Sequence, residues 1–532
     1  MHAGKTVEVS LAPAQRIRHT YVIGASGTGK STLLLNMIVQ DIENGEGVGV
    51  LDPHGDLIEE ILGRVPERRF DDVVLLDPSD KEYAVGFNVL RAHSDLEKQL
   101  LASDLVAVFR RLSTSWGDQM TSVMANAVLA FLESSEGGTL ADLRRFLVEP
   151  AYRRRFLETV TDPEVVYYWA KEFPLLAGKP QAPLLTRLDT FLRPKLVRHM
   201  VSQKENRLDF ASIMNGRKIF LAKLSQGTIG EENAYLLGAF LVSKLHQIAQ
   251  SRQELAESER AAFYLYMDEF HNFLTPSMAA ILSGARKYRL GLVLAHQDLG
   301  QLSRQESGIL GAAIANPATR VCFRVGDMDA RRLEEGFGYF EAKDLQSLGV
   351  GEAICRIEQA QFDFNLKTGP PPPVDAALAR SRRERIVALS RERFALRRAD
   401  VEATLVREAP ESEIGAAPER AQKPVIAESA GVAAEPPQAP VKSAAEPPAP
   451  KRPQPKRPAP APPSPGRGGP QHKYIQEVIK RWGEKHGFRV EIEKPVLDGL
   501  GSVDVALSKG DLRIACEIVV STSPEHELVL QR

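Results

Sequence analysis

Cysteine is scarce: Cys322, Cys355 and Cys516 are the three in 532 residues, and they stand too far apart for metal-ligand spacing. That excludes a zinc ribbon or a disulfide framework and suits a reducing compartment. Charge of one sign is lacking as well, with 68 Lys and Arg against 69 Asp and Glu and a formal net charge of −1. A polyanionic partner would therefore have to be met by a local basic patch. No run of about 18 apolar residues reads as a membrane-spanning helix. The N-terminus, MHAGKTVEVSLAPAQRIRH, lacks the apolar stretch of a signal peptide, so a cytoplasmic location is expected. What remains is ordinary for a globular chain, 43% hydrophobic and 26% charged. At about 150 residues per domain, the length suits three or four units.

Strand-like and helical runs alternate over residues 1–95. Thr20–Ile23, Gly47–Asp52 and Asp72–Asp77 are short apolar runs ending in turn signals, and Ser31–Asn44 has helical spacing. This order predicts an α/β fold with a parallel, doubly wound sheet. Residues 96–205 carry apolar residues almost wholly at helical spacing, which predicts an inserted all-α domain. The α/β pattern resumes over 206–370, with strands in KIFLAKL, FYLYMDE, GLVLAHQ and RVCFRVG. Pro371–Pro373 are expected to close the globular part, followed by a charged, Arg-rich helix over 371–407. Residues 408–470 hold about half of the prolines and no periodicity, and predict a disordered Pro/Ala-rich linker. A small α+β piece is expected over 471–532.

The sharpest motif is GASGTGKS, from Gly24 to Ser31, a complete G-x-x-x-x-G-K-[ST] between an apolar strand and a helix. Its glycines let backbone N–H groups close around phosphates at a helix N-terminus. The nucleotide-binding set is Gly24, Ala25, Ser26, Gly27, Thr28, Gly29, Lys30, Ser31 and Thr32. Lys30 would reach the β- and γ-phosphates of ATP, and Ser31 would ligate Mg2+. A Gly-rich strand–helix turn is the plain alternative. FYLYMDE ends in two acids at the sheet edge where ligands of open α/β folds bind. Asp268 would hold Mg2+ through water, and Glu269 would orient or deprotonate the attacking water. Gln297, ending GLVLAHQ, would hydrogen-bond the γ-phosphate or the water, or else merely cap a strand. His296 beside it reads as structural. Arg286, placed on a helix between those two strands, would act as an arginine finger on a neighbouring subunit's nucleotide. Lys287, Arg289, Arg320 and Arg324 compete for that role, and a solvated basic helix face is the alternative for Arg286.

In this order, VIGASGTGKSTLLLNMIVQDI, VLDPHGDLIEEIL, YLYMDEFHNF and GARKYRLGLVLAHQDLGQL resemble the FtsK/HerA superfamily of DNA-pumping ATPases. Within it the chain looks like the coupling-protein ATPases of conjugative type IV secretion, over about residues 1–370. The resemblance implies a RecA-like P-loop NTPase core and a homo-hexameric ring with ATP at subunit interfaces and DNA in the channel. Relaxase or secretion-system proteins are the implied partners. Asp52 in LDPHGD matches a recurring position of the family, and a turn former after a strand is its local alternative. Coupling proteins typically carry N-terminal membrane helices, whereas here the phosphate loop begins at Gly24, so any docking at an inner membrane is expected to use a partner or a missing segment. The alternatives are a HerA-like DNA end-processing translocase and a protein-secretion ATPase or nucleotide-gated scaffold.

The last piece resembles a truncated PD-(D/E)xK nuclease fold. Asp504 and Glu517 stand where its metal-binding acids would lie, with Glu477 on the leading helix. Val519 replaces the expected lysine, so nuclease activity is not expected; a degenerate DNA- or protein-binding module is the favoured reading, with plain structural coincidence as the alternative.

Overall fold

Short apolar runs bounded by turn residues become the strands of one large sheet. In the computed structural model, residues 7–408 and 470–516 are described, except 93, 112–115, 177–178, 276, 304–306, 497–500 and 511. The strands of the first unit are β1 (Thr20–Ile23), β2 (Gly47–Asp52), β3 (Val73–Leu76), β4 (Tyr83–Val85), β5 (Ile219–Lys223), β6 (Phe263–Met267), β7 (Leu290–His296), β8 (Thr319–Phe323), β9 (Glu352–Ile357), β10 (Asp363–Lys367) and β11 (Ala395–Arg397). Nine of them form a sheet ordered β10-β9-β8-β1-β7-β6-β2-β5-β3. The stretch from β8 to β3 is parallel, and β9 and β10 add an antiparallel edge. The central strands β1, β2, β6 and β7 are buried at every position. Their near-continuous apolar runs are what a sheet covered on both faces requires.

One face packs Val22, Val50, Leu221 and Tyr266 against the helices Lys30–Glu43 and Asp56–Leu62. The opposite face packs Tyr21, Phe220, Leu265 and Leu292 against the helix Glu231–Ser251. That helix is buried at every residue from Asn233 to Ala249, because helices of the 95–215 segment cover its outer side. Burial on every side, with only a few polar residues such as Ser243 and Gln247 among them, is possible only in such a sandwiched position. The covering segment is held by its own aromatic cluster: Phe131 stacks on Phe156 at 4.3 Å, and Trp169 meets Phe146 edge-on at 4.8 Å. Each such pair adds about 0.5–1.5 kcal/mol beyond area burial.

The prolines at 371–373 do not close this unit. The charged stretch forms two helices, Ala376–Phe394 and Arg398–Glu408, separated by β11, which pairs with β4. Ile386 is completely buried, Ser390 Oγ accepts from Leu75 N at 3.0 Å, and Arg391 binds Asp80 through both carboxylate oxygens at 2.8 and 3.0 Å. Arg398 donates to the carbonyls of Pro78, Asp80 and Leu196. The arginines of the charged stretch are thus partly consumed in capping the β3 edge. Cutting the chain after residue 370 is expected to lower Tm by several degrees relative to cutting it after 408, measured by thermal melting.

Residues 1–420 and 421–532 divide into two units. In the second, the helix Pro470–Lys485 accompanies an antiparallel sheet of β12 (Arg489–Val496), β13 (Gly501–Lys509) and β14 (Leu512–Cys516). The expected linker lies outside the described residues, as do Glu517 and Val519. Asp504 is on β13, and Glu477 is engaged by Arg481 at 3.2 Å.

Candidate nucleotide site

The parallel strands bring four separated sequence segments to one edge of the sheet. β1 runs into the loop Gly24–Gly29, and the helix starts at Lys30. Gly29 has φ +120°, a conformation that a side chain would strain. A Cβ on Gly24 would lie 2.5 Å from Phe323 Cβ, so the loop can sit on the end of β8 only with glycine there. Ala25 N donates to Arg324 O at 2.8 Å and Gly351 N to Thr28 O at 2.8 Å, which brace the loop from β8 and from the turn before β9. Lys30 is 6% exposed, and its Nζ donates to the carbonyls of Gly24 at 2.7 Å and Ala25 at 3.2 Å. Burial holds the Lys30 pKa below the ordinary lysine value, against the pull of Glu269 and Asp268. Ser31 is exposed on the first turn, and Thr32 follows it half-buried.

Asp268 and Glu269 follow β6 directly and are buried, 7% and 6% exposed, rather than displayed at an open edge. Burial first, then the neighbouring Glu269 and Asp52, push the Asp268 pKa up to about 6, while Lys30 pulls it down. Two carboxyl groups, Asp268 and Glu269, stand beside the one Lys30 ammonium, and the negative charge left over is what a divalent cation would offset, so a serine hydroxyl and a carboxylate, Ser31 and Asp268, are groups that suit Mg2+. Glu269 adopts φ +47°, a left-handed conformation costly for a residue with a Cβ. Its Oε1 accepts from Gln297 Nε2 at 2.7 Å, which joins the ends of β6 and β7.

Asp52, whose role the sequence leaves open, is a local cap. Its carboxylate accepts from His54 N at 2.8 Å and Ile58 N at 3.3 Å, at the start of the helix Asp56–Leu62. His296 is fully buried; its Nε2 is 2.6 Å from Tyr21 Oη, and burial pushes its pKa down to about 3. Arg286 is not on a helix but in the 3-10 turn Ala285–Tyr288, exposed, at the opposite edge of the sheet from Gln297. From Leu290 to Gln297 the chain advances seven residues, roughly 23 Å at about 3.3 Å each. Arg286 therefore stands far from this chain's own phosphate loop. Lys287 and Arg289 share that edge and are exposed too. Arg320 is engaged, donating to Ile314 O at 2.9 Å. Arg324 lies on the near side, its backbone bound to Ala25.

Sequence reasoning missed His271, whose Nδ1 lies 3.4 Å from Glu269 Oε2. It also missed Arg111, whose guanidinium lies 4.0 Å over the Tyr235 ring and donates to the carbonyls of His271 and Leu274. His271 sits in the DEFHNF segment, two residues after Glu269, which was a usable signal; Arg111 offered none, being about 160 positions away.

A family described as the type IV secretion-system coupling protein DNA-binding domain matches residues 5–353. In fold, the chain is similar to the bacterial conjugative coupling protein TrwBdeltaN70, at 17% identity over 67% of this chain and 86% of that one, with a TM-score of 0.50. It is likewise similar to the plasmid coupling protein TrwB in complex with ADP and Mg2+, at 17% identity over 69% of this chain and 88% of that one, with a TM-score of 0.51. VirB4 of Thermoanaerobacter pseudethanolicus aligns at 14% identity over 66% and 90% of the two chains, with a TM-score of 0.45. No curated protein matches the chain. The family match stops at residue 353 and lends no support to a nuclease reading of the second unit.

Proposed function

The chain belongs to the type IV secretion-system coupling protein DNA-binding domain family, and from that premise we propose that it is an ATP-hydrolysing motor that moves DNA. The observation that carries the enzymatic reading is the link from Gln297 Nε2 to Glu269 Oε1 at 2.7 Å, beside the buried Lys30. A carboxylate and an amide held together next to a phosphate loop are the parts that water activation and γ-phosphate sensing need.

In the proposed reaction, Lys30 moves from the Gly24 and Ala25 carbonyls to the β- and γ-phosphates of ATP. Mg2+, held by Ser31 and through water by Asp268, would neutralise charge between those phosphates. Gln297 turns to the γ-phosphate and leaves Glu269 Oε1 to take a proton from water as the water attacks phosphorus. The bond to the ADP oxygen breaks, and the proton on Glu269 returns to the released phosphate. Arg286, exposed on the far edge, completes a neighbouring subunit's site, which calls for a closed ring, as a homo-hexamer. Relaxase or secretion-system proteins would deliver the DNA. Among the described residues no helix is long and apolar enough to cross a membrane. The test is ATP hydrolysis by the purified chain with and without single- and double-stranded DNA. Several-fold stimulation by DNA is expected; hydrolysis indifferent to both would remove DNA as the cargo.

A further inference from the structure

Lys30, Asp268 and Gln297 account for most of the polar groups at the sheet edge, but three buried atoms there have no hydrogen-bond partner: His296 Nδ1 and, as a pair, Glu269 Oε2 and His271 Nδ1. The paired atoms face each other at 3.4 Å. One is an acceptor, and the other donates in one imidazole tautomer, so each can supply what the other lacks. An unpaired buried polar atom carries the full cost of its desolvation, and a slight tilt of either side chain removes both costs at once. Burial, then the charge of Arg111, hold the His271 pKa down to about 4. At neutral pH the ring is therefore uncharged, and its interaction with Glu269 is a hydrogen bond rather than an ion pair.

The two oxygens of Glu269 are held in different ways. Oε1 accepts from Gln297, a side chain on another strand end with a second task at the γ-phosphate. Oε2 faces His271, on the 3-10 turn Phe270–Phe273 that follows Glu269 itself. That turn is anchored from outside. Arg111, the last residue of the helix Asp95–Arg111, donates to His271 O at 3.4 Å and Leu274 O at 3.5 Å, and Tyr235 Oη donates to Leu274 O at 3.2 Å. When Gln297 leaves for the γ-phosphate, only a second tether keeps the carboxylate from rotating away from the water.

We propose that His271 is a positioning residue for hydrolysis: its Nδ1–H holds Glu269 Oε2 so that Oε1 stays aimed at the water, and Arg111 of the helical segment sets where His271 stands. The inference rests on Glu269 being the water-activating residue. Through Arg111 it makes turnover answerable to the position of the covering helices.

Steady-state ATP hydrolysis, with and without DNA, tests it in the full chain carrying His271→Ala, His271→Phe or His271→Asn. Phe keeps the ring volume and loses the donor, whereas the Asn amide places an N–H near the Nδ1 position. Ala and Phe are expected to lower kcat by about tenfold or more with KM for ATP within about twofold, and Asn to stay within about threefold of wild type. Wild-type kcat in both Ala and Phe overturns the proposal. So does an Asn variant as slow as Ala, which a merely structural role would give, or a loss confined to KM. Arg111→Met, which keeps a long side chain over Tyr235 without donors, is expected to lower kcat about threefold at constant KM; an unchanged kcat overturns the Arg111 part. Glu269→Gln is run alongside. If it hydrolyses ATP at the wild-type rate, the assignment of Glu269 fails; if it is inactive while His271→Ala and His271→Phe are normal, only the role of His271 fails.

Discussion

Glu269→Gln is expected to bind ATP and stall, whereas Lys30→Ala is expected to lose both binding and hydrolysis. The two residues are neighbours in the fold but act on different parts of the reaction. In Glu269→Gln the amide oxygen can still accept from Gln297, so the pocket keeps its shape, but an amide takes no proton from water. Hydrolysis should fall by about two to four orders of magnitude, the range for removal of a general base. ATP affinity should hold or rise, because a buried negative charge beside the γ-phosphate has been removed. Lys30→Ala removes the one flexible cation aimed at the phosphates and leaves Asp268 and Glu269 without their positive neighbour, so nucleotide is repelled as well as unheld. Equilibrium binding of a fluorescent ATP analogue beside a phosphate-release assay separates the outcomes. Glu269→Gln turning over at the wild-type rate would refute its role as the base.

Arg286→Ala carries the second large effect. Its turnover is expected to fall by about three to five orders of magnitude with ATP affinity nearly intact, since an arginine finger acts on charge that develops in the transition state. The geometry makes the effect a property of the assembly. Arg286 sits at the edge where β7 begins, and the phosphate loop at the edge where β1 ends, so one chain cannot use its own Arg286. Mixing Arg286→Ala with Lys30→Ala chains is expected to restore part of the activity, because an intact Lys30 site can face an intact Arg286. Lys287→Ala and Arg289→Ala serve as controls at the same edge and are expected to keep far more activity. No recovery in mixed rings, with subunit exchange shown by a fluorescent label, would exclude action in trans.

The phosphate loop was readable from sequence because its chemistry is contiguous: eight residues, Gly24–Ser31, supply the glycines, the lysine and the hydroxyl between a strand and a helix. The strand ends carrying Asp268, Glu269 and Gln297 were readable because buried parallel strands appear as apolar runs whose first polar residues mark the sheet edge. The errors fell where a residue's meaning depends on what packs on it. The sequence places the charged stretch after Pro373 beyond the globular part, yet it covers the β3 edge, because a sheet edge with Asp80 and backbone carbonyls nearby is a partner for arginine. The sequence leaves Asp52 open between a family position and a turn former, and its two backbone bonds agree with the local, turn-forming reading.

By itself, then, the sequence determined the nucleotide-binding class and the strand–loop–helix unit that carries Lys30 and Ser31, since those depend on spacing along one short segment and on apolar periodicity. Only the tertiary structure decided which groups share the site and which stand apart from it. The crossovers that place β6 beside β7 join Glu269 to Gln297, and the helix ending at Arg111 reaches a turn about 160 residues away. The same strand direction that gathers Lys30, Asp268 and Gln297 at one edge sends Arg286 to the other. No local pattern encodes such pairings, because they follow from the order and direction in which the chain lays its strands into the sheet.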